Sequence, residues 1–326
     1  MTGFSSAAAA AAGLVVAAVP SSVLFTFDDP EIAESSGLVD AGSVVYTVND
    51  SGSGPVLYGV DPASGRTTTR TTYTTDEVVD VEALAPGRGG TVWVGDVGDN
   101  GADRDTVALY RVRPGSGGAQ RLDLRYPDGP RDAEAVLAHP RTGQLFVVSK
   151  NVFGGTVYAV PAGARPGTVT TMRRFAQVPG LVTDGAFLPD GEHVVLRGYG
   201  SATVLTFPAF EVSGTVNLPE QRQGEAVAVG RDGRVLLSSE GVGTDVLQVR
   251  LPARLTADPA TSPRPSPSAS GSASPSADVP DAPAAQEPRD GRRGIWSHPL
   301  AAAARVLMGV VLLGALGLTW WRLRRR

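Results

Sequence analysis

Five related segments recur along the middle of this chain, and this repeat constrains the fold more than any other feature of the sequence. Each segment begins with a short motif of acidic or small residues followed by an apolar step. Five positions are taken as equivalent: Ser36, Glu82, Glu134, Gly185 and Glu225. Their spacings are 46, 52, 51 and 40 residues, and β-branched or aromatic runs such as VVYTV, TVWVG and QLFVV follow the motifs. A period of about 40–50 residues with four strands per unit predicts the blades of an all-β propeller.

The length of the repeated region bears on the number of blades. Residues 23–252 comprise 230 residues, so five blades would average 46 residues each. The fifth unit, residues 223–252, has room for only three strands, and a strand predicted at Val23–Phe27 would supply the fourth. Pairing of this strand with residues 244–250 would close a five-bladed ring. A six-bladed ring, with about 38 residues per blade and one further motif, is the alternative.

Both ends of the chain predict export and membrane attachment. Residues 1–22 resemble a signal peptide, because the apolar run AAAAAAGLVVAA has a suitable length, although no Lys or Arg precedes it. Residues 295–326 contain an apolar stretch of 23 residues, which is long enough to form a transmembrane helix across about 30 Å of hydrocarbon. Trp320 and Trp321 fit an interfacial aromatic belt, and the arginines that follow predict a cytoplasmic C-terminus. We therefore expect a single-pass protein of the plasma membrane with its N-terminal domain outside.

The segment between the repeat and the membrane helix has the composition of a spacer. Residues 253–294 are rich in Pro, Ser and Ala and show no apolar periodicity. Such a segment cannot bury enough surface to fold, so we expect a disordered linker that lifts the propeller away from the membrane.

Composition excludes several classes of function. The chain contains no Cys, which rules out disulfides, thiolate metal sites and Cys nucleophiles. Its formal net charge of −4 argues against a nucleic-acid partner. Neither a G-x-S-x-G elbow nor an H-E-x-x-H or P-loop motif is present. Lys150 is the single lysine among 29 basic residues, a usage typical of a high-GC bacterial genome.

Carboxylates recur where the inner strand of each blade is predicted to begin. They are Glu34, Asp80, Glu82, Asp132, Glu134, Asp184 and Glu225. In a propeller the starts of the inner strands converge on the central channel, so these oxygens could hold Ca²⁺, which takes six to eight oxygen ligands. No other cofactor is indicated. The alternative is structural: each carboxylate accepts backbone N–H bonds and links one blade to the next.

A second and less regular set of polar residues follows the second strand of each unit. Its members are Asp50, Asp96, Lys150, Arg197, Tyr199 and Glu240. The residue type changes from blade to blade, which is typical of a ligand site at a funnel. Lys150 and Arg197 could bind a phosphate or carboxylate. The alternative is that the carboxylates are turn residues and that the two cations form ordinary salt bridges.

The motifs resemble a group of exported β-propellers, the SdiA-regulated proteins and the "esterase-like activity of phytase" domains. Those families open blades with E-x-S-G-L and D-x-E-G-[IL], and the matching segments here are Glu34–Leu38, Val48–Ser51, Asp80–Leu84, Gly95–Asn100 and Ser239–Gly241. The pattern departs where Ala83, Ala135 and Ala226 replace Gly and where Gly185 replaces Glu. The resemblance covers residues 23–252 and implies an esterase or phosphatase role.

Two hypotheses for function follow. The first is a non-enzymatic binding module, displayed outside the membrane, for a small polar ligand or an envelope protein. It is favoured because catalytic signatures are missing from the sequence. The second is a metal-dependent hydrolase, phosphoesterase or lactonase-like, in which Asp50, Asp96 and Glu240 act at the funnel. It rests on the family resemblance.

Overall fold

The computed structural model describes residues 18–50 and 53–256, which form β-sheets arranged as the blades of one ring. The first strand, β1 (Ser21–Thr26), belongs to the last blade. Blade 1 contains β2 (Ser35–Asp40), β3 (Val45–Asn49), β4 (Val56–Val60) and β5 (Thr67–Thr72). Blade 2 contains β6 (Val81–Pro86), β7 (Val92–Asp96), β8 (Val107–Val112) and β9 (Ala119–Arg125). Blade 3 contains β10 (Ala133–Ala138), β11 (Leu145–Ser149) and β12 (Gly155–Ala159).

The remaining strands complete blades 3 to 5. A two-residue strand, β13 (Thr170–Thr171), leaves blade 3 and pairs with β9 of blade 2, and β14 (Arg173–Val178) is the outer strand of blade 3. Blade 4 contains β15 (Asp184–Phe187), β16 (His193–Arg197), β17 (Ser201–Thr206) and β18 (Val212–Asn217). Blade 5 contains β19 (Gly224–Val229), β20 (Val235–Ser239) and β21 (Asp245–Val249), completed by β1. Two short 3₁₀ turns lie at Arg88–Gly90 and Ala253–Leu255.

The ring is closed by its two ends, as the repeat predicts. β1 pairs antiparallel with β21, from Ser21 opposite Val249 to Thr26 opposite Asp245. The five-bladed propeller is therefore confirmed and the six-bladed alternative is excluded. The closing strand begins two residues earlier than Val23, and the N–H of Val19 donates to the carbonyl of Asn217 at 2.9 Å.

Packing between blades explains the contrast between inner and outer strands. The described chain contains five buried apolar clusters, and each combines residues of two neighbouring blades. The inner strand β10, AEAVLA, is buried along its whole length because both of its faces meet another blade. The outer strand β5, TTTRTT, alternates between exposed and less exposed positions because only one face is covered.

Several sequence predictions fall on residues that the structure does not describe. Residues 1–17 of the signal-like segment, the linker from residue 257 onward and the whole membrane segment lie outside the described residues. Within residues 18–50 and 53–256, no helix has the length and apolar character needed to span a bilayer.

Candidate functional site

Both predicted sets of polar residues lie on the same face of the disc. The start of each inner strand pairs with the end of the second strand, as in Ser35 opposite Asn49 and Ala133 opposite Ser149. We call this end of the disc the mouth face, and the opposite end the back face. The acidic residues that begin inner strands and the polar residues that end second strands are therefore neighbours.

A β-bulge at the same place in four blades directs side chains toward the axis. The strand register shifts between Ser35 and Gly37, and likewise at Glu82, at Glu134 and near Glu225. The extra residue of a bulge re-aims its side chain, so these bulges take the glutamates out of the packed faces between blades. Glu225 of blade 5 interacts electrostatically with Lys150 of blade 3, a blade that is not its neighbour. Such a pair can meet only near the axis.

Seven side chains form what we call the acidic mouth. They are Asp50, Asp80, Glu82, Glu134, Lys150, Glu225 and Glu240, contributed by blades 1, 2, 3 and 5. Six are carboxylic acids and one is a cation, so the mouth has an excess of negative charge. This arrangement brings together members of both predicted sets.

Three carboxylates of the acidic mouth form a tight group. Each of Asp50, Asp80 and Glu82 offers an oxygen within 4.8 Å of the other two. Glu82 is 4% exposed, and Ser36 Oγ donates to its Oε2 at 3.0 Å. Burial, with the charges of Glu134, Asp50 and Asp80, holds the pKa of Glu82 well above its ordinary value. The group therefore resists full ionisation unless a cation joins it.

Lys150 neutralises one of the buried glutamates. Its Nζ lies 2.6 Å from Glu134 Oε1 and 5.8 Å from the centre of the Tyr199 ring. Burial lowers the pKa of Lys150, but the Glu134 carboxylate outweighs burial and keeps the pKa above its ordinary value. Lys150 is thus an ammonium committed to Glu134 and Tyr199, rather than a free amine.

Glu225 has a buried oxygen that the fold does not satisfy. The residue is 6% exposed, and its Oε2 is among the few buried polar atoms of the described chain that lack a hydrogen-bond partner. Burial raises the pKa of Glu225 to about 7, against the opposing effect of Lys150. Burial also raises the pKa of the neighbouring Glu240 to about 6. Gln223 Nε2 donates to Glu240 Oε2 at 2.7 Å, which fixes that carboxylate at the mouth.

The structure separates Asp96 and Arg197 from the other predicted funnel residues. Both are the last residue of a second strand, whereas Asp50, Lys150 and Glu240 each come one residue after the strand ends. Successive side chains of a strand point in opposite directions, so Asp96 and Arg197 are turned differently from the residues that follow the strand ends, although Arg197 still interacts electrostatically with Glu225 of the mouth. Repeat alignment at the level of whole motifs does not resolve this shift of one residue.

Asp96 and Arg197 instead hold backbone in place. Asp96 is 2% exposed, accepts the N–H of Asp80 at 3.0 Å and pairs with Arg104 at 2.8 Å. Arg197 is 1% exposed and donates to the carbonyls of Ala226 and Ser238 in blade 5. It also donates to Gln221 Oε1 at 2.9 Å, and burial lowers its pKa to about 10. These contacts give the two residues a structural role, and the prediction that they join one ligand site stays a prediction.

The predicted metal candidates divide into two kinds. Asp132 accepts the N–H of Asp99 in blade 2 at 2.9 Å. Asp184 accepts the N–H of Val227 in blade 5 at 2.7 Å. These two therefore link neighbouring blades, which is the structural alternative for this set. Glu34 forms an isolated bridge with Glu240 at the rim, and the remaining four candidates belong to the acidic mouth.

In blade 4, Gly185 stands where the repeat motif has Glu, and this departure from the motif has a steric reason. A Cβ at this position would lie 2.6 Å from Leu196 Cδ2 and 2.9 Å from Leu137 Cδ2. Blade 4 has no bulge here, since Gly185 pairs regularly with Leu196. A side chain at this position would require Leu196 and Leu137 to move, and with glycine here blade 4 contributes no glutamate equivalent to Glu82.

Several residues outside the predicted site set also shape the mouth. Asn49 accepts the N–H groups of Ala33 and Glu34 through Oδ1, the role that Asp96 has in blade 2. Apolar side chains on mouth-face loops are strongly exposed, among them Phe153 at 98% and Val242 at 62%. Asn49 and Asp96 share this role because each is the last residue of a second strand. Aligning Asn49, rather than Asp50, with Asp96 would have corrected the repeat alignment.

Comparison with known proteins was made by sequence and by fold. No protein-family model matches the chain, and no curated protein matches its sequence. A gluconolactonase from Xanthomonas campestris aligns over 66% of this chain and 70% of its own, with 18% identity and a TM-score of 0.43. A streptogramin B lyase (72% and 98% covered, 11% identity, TM-score 0.41) and a luciferin-regenerating enzyme (69% and 95% covered, 12% identity, TM-score 0.43) also align. The fold and the site therefore rest on this chain's own strands and side chains, and the family resemblance of the motifs stays a prediction.

Proposed function

We propose that this protein is a binding module whose acidic mouth holds a divalent cation of the Ca²⁺ type and, beside it, a small polar ligand. The observation that carries the proposal is the group of Asp50, Asp80 and Glu82, with oxygens within 4.8 Å of one another. Ca²⁺ binds oxygens at about 2.3–2.6 Å, so two oxygens on opposite sides of one ion lie about 4.8 Å apart. The unsatisfied Oε2 of Glu225 gives an independent indication that a cationic or donor group belongs in the mouth.

Electrostatics favours a dication over a neutral occupant. Lys150 is paired with Glu134, and the Asp50 group consists of three acids. The raised pKa of Glu82 reflects destabilisation of its anion, first by burial and then by the charges of its neighbours. A dication would favour ionisation of all three acids. Three carboxylates supply at most six oxygens, which leaves room for hydroxyl or carboxylate groups of a ligand.

Calcium titration of the full chain tests this proposal. We expect Ca²⁺ to raise the melting temperature, since ligand at about 100 times its Kd contributes about 2.7 kcal/mol of stability. Asp80→Asn and Glu82→Gln should abolish the heat of binding in calorimetry. Asp105→Asn, at an exposed aspartate outside the mouth, is the matched control and should bind normally. A melting temperature indifferent to both Ca²⁺ and EDTA would contradict the proposal.

Metal-dependent hydrolysis is the second candidate function, and the raised pKa of Glu225 favours it. A carboxyl with a pKa of about 7 is suited to act as a general base near neutral pH. A bound dication would polarise an ester or lactone carbonyl, and Glu225 would accept a proton from the attacking water. Chelator-sensitive turnover of p-nitrophenyl acetate or δ-valerolactone, lost in Glu225→Gln but not in Glu211→Gln, would support this reading. Calcium binding without turnover would leave the binding module as the function.

We also propose that the propeller is displayed outside a bacterial plasma membrane. The support is the sequence of the two ends, together with the position of Val19, which donates to Asn217 as the fold begins. Cleavage of the signal-like segment after Ala18 would leave a mature chain that starts where the propeller starts. External protease on cells with an opened wall should release a fragment cut within 253–294. Protection of the propeller would contradict this topology.

Exposed apolar residues at the rim of the mouth support the proposal that the protein binds an envelope protein as well as a small ligand. Exposed Phe153, Val152 and Val242 lie on loops that surround the acidic mouth. Exposed apolar side chains grouped around a polar pocket are typical of contact surfaces. Phe153→Ser should leave calcium binding unchanged, so loss of co-purified envelope protein in this variant would separate partner binding from ligand binding.

A further inference from the structure

A large cavity of the described chain lies on the back face, away from the acidic mouth. It has a volume of about 1030 Å³ and runs along the bottom edges of blades 2 and 3 to Phe207 of blade 4. The residues that line it belong to the ends of third strands, the starts of second and outer strands, the β10–β11 turn and the segments that follow β12 and β17. In a blade whose inner strand starts at the mouth, all of these lie at the opposite end. We call this cavity the back groove.

One wall of the back groove is an insertion that the other blades lack. Thirteen residues separate β12 from β14 in blade 3, whereas six, six and five residues join the third and outer strands of blades 1, 2 and 4. The insertion reaches blade 2, where Thr170 of β13 pairs in parallel with Leu124 of β9. Met172, next to this contact, is 1% exposed. The wall is thus anchored by backbone pairing and by a buried side chain.

The floor and the rim of the back groove differ in chemistry. Leu122, Leu145, Phe146 and Val160 are buried beneath it, and Phe175 is 44% exposed along its side. Four arginines line it, at positions 111, 165, 173 and 174, and none of the lining residues is Asp or Glu. Within residues 18–50 and 53–256, only Arg174 of these four makes an ion pair, with Asp128 at 3.1 Å.

We propose that the back groove binds a single-chain anionic amphiphile, a molecule with a carboxylate at one end and an acyl-like body. Charge complementarity selects the head group, because Arg111, Arg165 and Arg173 make no ion pair within the described part of the chain and guanidinium pairs well with carboxylate. The apolar floor selects the body, since burying each CH₂ contributes about 0.8 kcal/mol. The apolar side chains are recessed under the rim, so a single molecule that enters the groove fits better than a flat bilayer surface.

The back groove is separate from the acidic mouth in its position, and the two sites differ in the sign of their charge. The mouth gathers carboxylates on one face, and the back groove gathers arginines on the other. Loss of calcium binding would leave the groove intact, and loss of the amphiphile would leave the mouth intact. The two proposals can therefore fail separately.

Trp93 allows ligand binding in the back groove to be measured by tryptophan fluorescence. It lines the back groove, and the other three tryptophans of the chain are at positions 296, 320 and 321. Replacing those three by Phe in the full chain, reconstituted in lipid nanodiscs, leaves Trp93 as the only tryptophan reporter. Octanoate that merely enters the lipid does not change Trp93 emission. We expect a saturable change of Trp93 emission with octanoate and a far weaker one with octyltrimethylammonium.

Arginine variants identify the head-group contacts. Arg165→Ala with Arg173→Ala should weaken octanoate binding by about tenfold or more, while the melting temperature stays within the range of the parent. Arg231→Ala removes an exposed arginine on the back face of blade 5 and should bind octanoate normally. No saturable response to octanoate, an equal response to octyltrimethylammonium, or an unchanged affinity in the double variant would each overturn the proposal.

Discussion

Replacing Arg197 by methionine tests whether this residue holds blades together or binds a ligand. The side chain belongs to the last residue of β16 in blade 4, and its guanidinium reaches the carbonyls of Ala226 and Ser238 in blade 5. A ligand-binding role predicts a normal melting temperature and lost binding. A structural role predicts the reverse, a large loss of stability.

The magnitude follows from what the substitution leaves behind. Methionine would fill much of the volume but would leave two buried carbonyls and Gln221 Oε1 without their donor. A buried polar group without a partner costs about 1–3 kcal/mol, and three acceptors would lose their donor here. Burial already penalises the guanidinium, as its pKa of about 10 shows, and methionine would remove that penalty. We therefore expect a net loss of about 3–5 kcal/mol.

Thermal and denaturant unfolding provide the measurement. For a domain of this size, such a loss lowers the melting temperature by roughly 6–20 °C. Arg197→Lys should be intermediate, because an ammonium cannot reach all three acceptors at once. Arg222→Met, at an exposed position near Gln221, is the matched control and should cost less than about 0.5 kcal/mol. If Arg197→Met melts as the wild type does, the hydrogen bonds merely offset the desolvation of the charge, and the structural reading fails.

Three further predictions concern packing, closure and ionisation. Gly37→Ala places a Cβ 2.5 Å from the backbone nitrogen of Leu84, so it should destabilise the contact of blades 1 and 2 by about 1–3 kcal/mol in denaturant unfolding. Deleting residues 19–28 removes β1 and exposes the edge of β21, so we expect aggregation in light scattering. The folded pKa of Glu225, about 7, lies above its ordinary value of 4.5, so the folded state binds this proton more tightly. Its contribution to the stability of the metal-free protein is complete below pH 4.5 and is lost as the pH rises through about 7, a dependence that Glu225→Gln should flatten in melts from pH 5 to 8.

The fold could be predicted because the packing of blades requires apolar strands and turn residues at a regular spacing in the sequence. Inner strands meet neighbours on both faces, so AEAVLA and GEAVAV read as continuous apolar runs after an acidic residue. The short last unit predicted the closing strand, since three strands leave an edge that another segment must cover. These features depend on residue type and spacing alone.

The site could be predicted only in part, because its geometry depends on single-residue shifts. Asp50 and Asp96 look equivalent in the repeat, yet one follows its strand and the other ends it, and alternation turns their side chains apart. The bulges that aim Glu82 and Glu134 at the axis likewise leave no sequence signal beyond the acidic residue itself. The back groove was not predicted at all, since it arises where an irregular insertion meets another blade.

The negative charge of the acidic mouth arises because the bulges direct glutamates toward the axis. This charge bears on what the mouth binds. Three glutamates placed on bulges at one axis cannot all be ionised in a buried site without compensation; Lys150 pairs with Glu134, and both Lys150 and Arg197 favour the ionised form of Glu225. Glu82 then remains beside Asp50 and Asp80, and Glu225 keeps an oxygen without a hydrogen bond. Burying these carboxylates costs stability that apolar residues would not cost. The retained carboxylates are therefore the basis of our proposal that a cation binds between them.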